Sequence, residues 1–154
     1  MTARWCVIAL TGLTMTVSGC GGSKSSNRLD VELPGGVRMT ADEEGISLPD
    51  DFPSDVPIYP GSKATALLGG KDQGQQISMV SFEANASINE VTTFYEEKLE
   101  EHGWTIAGNV KTADGALLTA SKDNKLSMTL TVAKGENKDG AKKTNIAMNL
   151  GRGS

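Results

Sequence analysis

The 154-residue sequence is short of the side chains from which most catalytic sites are built: it holds one histidine, His102, two cysteines and only 5% aromatic residues. A Ser-His-Asp arrangement therefore has a single candidate base, and a thiolate-imidazole zinc site has too few ligands. Positive charge is not in excess. The formal net charge is -4, which makes nucleic acid a poor partner. No apolar run reaches the ~20 residues that a membrane-spanning helix needs. Glycines Gly69, Gly70 and Gly74 fall between two strand-like runs rather than between a strand and a helix, so no phosphate-cradling loop is read. Internal repeats are also missing.

What is present begins with an address. Residues 1–19 give a short leader with Arg4 as its only charged side chain, then an apolar stretch from Trp5 to about Val17 that ends in small residues. This is the pattern of a secretory signal peptide. The stretch Val17-Ser18-Gly19-Cys20 resembles the lipobox of bacterial lipoproteins, an aliphatic residue and two small ones before a cysteine. The resemblance implies that Cys20 carries a thioether-linked diacylglycerol and becomes the acylated first residue of the mature chain. A thiol is required there, because thiolate is the nucleophile that is alkylated. Cys6 lies in the leader, so the mature chain would have no second cysteine for a disulfide. The expected location is extracytoplasmic and membrane-anchored, on the outer membrane facing the periplasm if the host has one.

Residues 20–47 are expected to hold the lipidated cysteine and a flexible linker. "GGSKSSN" has tether composition, and the rest mixes Leu29, Val31 and Leu33 with a Gly35-Gly36 pair and an acidic cluster at Asp42, Glu43 and Glu44. Prolines 49, 53, 57 and 60 then recur every three or four residues, which fixes this segment as extended or turning. Its core, Phe52-Pro53-Ser54-Asp55-Val56-Pro57-Ile58-Tyr59-Pro60-Gly61, is similar to an FPxDxPxYPG-like opening in small bacterial secreted proteins and lipoproteins. That resemblance implies the start of a compact domain and carries no catalytic residue.

Residues 48–154 are read as one α+β domain. "SINEVTTFYEEKLEEHGW" predicts a helix, with Ser87 and Glu90 as a capping box and Gly103 and Trp104 as a left-handed stop. Two strand runs precede it and four follow, the last two alternating with period two. Leu126, Met128, Leu130 and Val132 oppose Ser127, Thr129 and Thr131, while Ile146, Met148 and Leu150 oppose Asn145, Ala147 and Asn149. The expected order is ββαββββ, an antiparallel sheet with the helix on its apolar face and a wet Ser/Thr/Asn face. Asp139-Gly140 predicts a turn between the last two strands.

From these residues no catalytic group, cofactor or metal is assigned. Met79, Met128 and Met148 fall within strand alternation and read as packing residues. Asp50, Asp51 and Asp55 lack the ligand order of a calcium loop. The leading expectation is a lipid-anchored binding or accessory module whose partner is an envelope protein or polymer. Contact is expected at Ser127, Thr129, Thr131, Asn145 and Asn149, or at Phe52 and Tyr59. The alternative is a small envelope-polymer hydrolase using Asp50, Asp51 or Asp55 with Tyr59.

Overall fold

The computed structural model describes residues 28–152 except 35, 51, 73–74, 124 and 136–142. The leader, Cys20, the tether, Asp51 and the Asp139-Gly140 turn lie outside the described residues. The chain runs β1 (Leu29–Leu33), β2 (Val37–Ala41), β3 (Lys63–Asp72), β4 (Gln75–Ala84), α1 (Ile88–Glu101), β5 (Thr105–Lys111), β6 (Gly115–Lys122), β7 (Leu126–Gly135) and β8 (Lys143–Arg152). The eight strands of the described residues form one sheet in the order β1-β2-β3-β4-β8-β7-β6-β5, with every neighbouring pair antiparallel.

This corrects the expected α+β fold with order ββαββββ: the described residues form predominantly a β-sheet with a single helix, and two strands precede the six expected. Leu29–Leu33 and Val37–Ala41, read as linker, pair with each other, and the second pairs with β3. The acidic cluster that looked like linker is the turn leaving β2, where Asp42 Oδ1 accepts from the Glu44 amide at 2.8 Å. Such short strands take their stability from the neighbour they pair with. Local composition alone does not carry that.

The helix forms where its caps place it. Ser87 Oγ accepts from the Glu90 amide at 3.3 Å, and Glu90 Oε2 accepts from the Ser87 amide at 2.8 Å. At the other end the Trp104 amide donates to the Leu99 carbonyl and the Gly103 amide to that of Glu100, with Gly103 at φ +77°. That is a Schellman stop, for which a residue without Cβ is suited. Between the caps, Val91, Thr92, Tyr95 and Leu99 are buried against the sheet, where α1 packs on β5, β6 and β7. The opposing sheet face supplies Val80, Phe82, Leu118, Met128, Leu130, Val132, Ile146 and Met148.

Register fixes what the other face carries. On β6, β7 and β8 it presents Thr119, Thr129 and Asn149 in one row and Leu117, Thr131 and Ala147 in the next. Across β4 and β3 to the β1–β2 hairpin, the first row continues as Met79, Leu68, Met39 and Val31, and the second as Ser81, Ala66, Ala41 and Leu29. The face is polar on one half and apolar on the other. On the β1–β2 hairpin the alternation is reversed relative to the core strands: Asp30, Glu32, Arg38 and Thr40 take the helix side, and Thr40 Oγ1 donates to Asp30 Oδ1 at 2.8 Å.

Candidate functional site

The proline-rich arm between β2 and β3 is fastened to the helix at two places. Its inner residues Val56 and Pro57 are buried, and Phe52 packs against the core. Trp104, only 4% exposed, donates from Nε1 to the Asp55 carbonyl at 3.0 Å, and the Asp55 carboxylate lies 3.2 Å from Lys122 Nζ. Further along, Tyr59 meets Phe94 edge to face at 5.1 Å, and Phe94 meets Tyr95 in the same manner at 5.3 Å. Such T-shaped contacts hold ring orientation as well as position.

Between this arm and the first turns of α1 lies an open cleft of about 510 Å³, lined by Tyr59, Pro60, Asn89, Glu90, Thr93, Phe94 and Glu97. Asn89, Thr93 and Glu97 are exposed and follow one another at spacings of four, so they form a polar stripe along one side. Tyr59 and Phe94 form the aromatic side. Glu90 is drawn into the helix cap through both the Ser87 amide and its hydroxyl. Under the cleft, the Tyr95 hydroxyl is buried without a hydrogen-bond partner among the described residues. Burial pushes its phenol up to about 12; the nearby Tyr59 backbone opposes the rise without making a hydrogen bond of normal geometry.

Of the residues singled out from sequence, Tyr59 is on the cleft wall, whereas Phe52 is half-buried against the core. Ser127, Thr131 and Asn145 are exposed on the polar half of the sheet, with Thr129 and Asn149 directly opposite one another and half-buried. These two groups are on opposite sides of the molecule, and no single site contains both. Asn89, Thr93 and Glu97 were missed. The signal for them was the four-residue spacing, which a solvated helix face shares.

The helix margin is tied to the sheet edge by Glu96, which takes Lys111 Nζ at 2.7 Å and also accepts from Asn109. Burial works against its charge, yet these donors outweigh it and hold the carboxyl below its ordinary value. Among the described residues no group of three or more His, Cys, Asp or Glu side chains comes together as a metal site would need. No described helix is long and apolar enough to cross a membrane.

A family model described as START domain-like matches residues 63–142, from the first residue of β3 to the segment before β8, with α1 inside it. No curated protein and no solved structure matches the chain. Because the matched stretch is more than half of the sequence, the chain belongs to the START domain-like family.

Proposed function

We propose that the protein is an extracytoplasmic lipoprotein, held on its membrane through acylated Cys20, whose β-sheet domain is a binding or accessory module for an envelope polymer. One observation carries this reading: the cleft joins two fixed aromatic rings, Tyr59 and Phe94, to a row of amide, hydroxyl and carboxylate groups at Asn89, Thr93 and Glu97. An aromatic face beside a few directional polar groups is how ligand sites usually divide affinity from specificity. A glycan chain has the matching chemistry, with apolar C–H faces and hydroxyl edges. The cleft is open to solvent, which leaves it accessible to a polymer segment.

The hydrolase alternative needs Asp50, Asp51 or Asp55 to work with Tyr59. Asp55 turns instead to Lys122 and lends its carbonyl to Trp104, which favours binding over catalysis. Titration calorimetry of the purified protein with soluble envelope glycan fragments tests the reading. Binding that is lost in Tyr59→Ala and weakened in Glu97→Gln is expected. Product release from the same fragments by the unaltered protein, abolished in Asp55→Asn, would replace binding with hydrolysis.

A further inference from the structure

Among the described residues, no element covers the apolar half of the sheet's outer face. Along β1 and β2 its outward side chains are Leu29, Val31, Leu33, Val37, Met39 and Ala41, and the register continues them through Ala66, Leu68 and Gly70 of β3 to Met79. Leu29 is 49% exposed, Leu33 43% and Met79 39%. Gly70 is where the face closes up: a Cβ there would stand 2.8 Å from Val37 Cα, so Val37 lies directly over the β3 backbone. On the hairpin itself Asp30, Glu32 and Arg38 all take the opposite face, and the outer face turns polar toward one end of β3 and β4, at Ser81, Lys63 and Glu83.

Contiguous apolar surface of this kind on a soluble domain marks a contact. The position of the chain outside the structure says which. Leu29 follows Cys20 by nine residues, and a fully extended chain of that length spans at most about 30 Å. The first strand is therefore the part of the domain held closest to the anchor, and it is also the strand with the most exposed leucines.

We propose that the outer face of β1, β2 and β3 docks on the lipid bilayer that carries the acyl anchor. This rests on the lipoprotein reading given above. The acyl chains supply attachment, and the apolar face supplies orientation: with the sheet edge at β1 lying in the headgroup boundary, α1 and its cleft on the other face point away from the membrane. A strand face that is apolar along β1 and β2 and carries Lys63 at the start of β3 suits the shallow depth of ~5–10 Å at which interfacial elements settle.

The acylated full-length protein tests this. With Cys20 blocked by its lipid, a cysteine introduced as Leu33→Cys, Met39→Cys or Glu100→Cys is the only free thiol and takes an environment-sensitive fluorophore. In vesicles of phosphatidylethanolamine and phosphatidylglycerol containing spin-labelled lipid, the probes at 33 and 39 should be quenched several-fold more than the probe at 100. Equal quenching of all three overturns the proposal, as does disulfide capture between copies at position 33, which would make a second copy the occupant. Val31→Glu, an outward substitution, should abolish the difference while near-ultraviolet circular dichroism stays unchanged. Mass spectrometry of the mature chain reports the anchor independently. Should Cys20 prove unacylated, that thiol is replaced by serine before labelling and the protein is offered vesicles from solution: preferential quenching at 33 and 39 sustains the docking face, and absence of binding removes it.

Discussion

Tyr95 holds the most consequential single group in the core, because its ring is packed between α1 and the sheet while its hydroxyl finds no partner among the described residues. A buried polar group left unpaired costs about 1–3 kcal/mol. Tyr95→Phe keeps the ring and removes that cost, so urea denaturation should show an equal or higher midpoint. The phenol also makes stability depend on alkali. Its pKa is raised in the folded protein, so its neutral form contributes fully below about 10 and the contribution is lost as pH climbs through about 12. The stability difference between the wild type and Tyr95→Phe should widen over that range, and constancy up to pH 12 would contradict the burial argument. Trp104 makes the opposite case: its ring fills the core and its Nε1 is satisfied by the arm. Trp104→Ala should lower stability by about 3–5 kcal/mol, measured by the same denaturation, since large aromatic deletions leave a cavity as well as lost burial.

At the level of elements, α1 and β5 are joined by Glu96 with Lys111 and Asn109, and that join is sensitive to acid. The folded Glu96 carboxyl is held below its ordinary value of 4.5, so its contribution is present above that value and fades as pH falls through the folded one. The stability gap between wild type and Glu96→Gln should accordingly shrink on titration from pH 6 toward pH 3. The β1–β2 hairpin differs in kind, for none of the buried hydrophobic side chains among the described residues belongs to it. Deleting residues 28–41 should leave cooperative unfolding in place while turning β3 into a ten-residue edge, with self-association visible by sedimentation. These elements also mark what sequence made legible. Ser87, Glu90 and Gly103 announce the helix ends through contacts within a few residues, and the alternation from Leu126 to Val132 announces a face buried in common with that of Ile146 to Leu150. Leu29, Val31 and Leu33 alternate as well, but they turn outward, and five residues beside a glycine pair resemble a linker until β3 is seen alongside. The cleft was hidden for a different reason. Tyr59 and Phe94 are 35 positions apart, and only the docking of the arm brings them into contact.

For the whole molecule, the sheet is two meanders, β1 to β4 and β5 to β8, joined through the central β4–β8 pair. Each meander contains only neighbours in sequence, whereas Val80 faces Met148 and Phe82 faces Ile146 across more than sixty intervening residues. Local pairing forms fast and distant pairing slowly, since closing a long loop must precede its reward. The last strand among the described residues, β8, is thus also a central one. A chain stopped after residue 142 should keep two hairpin arrays but expose the open edges of β4 and β7, and should aggregate or unfold without a cooperative transition in thermal melts. For a chain that emerges amino end first, the first half waits with β4 uncovered until the last ten-residue strand arrives. The central position of β8 therefore gives this domain a built-in interval of vulnerability, during which an attendant chaperone or a nearby protease decides whether the chain survives to close.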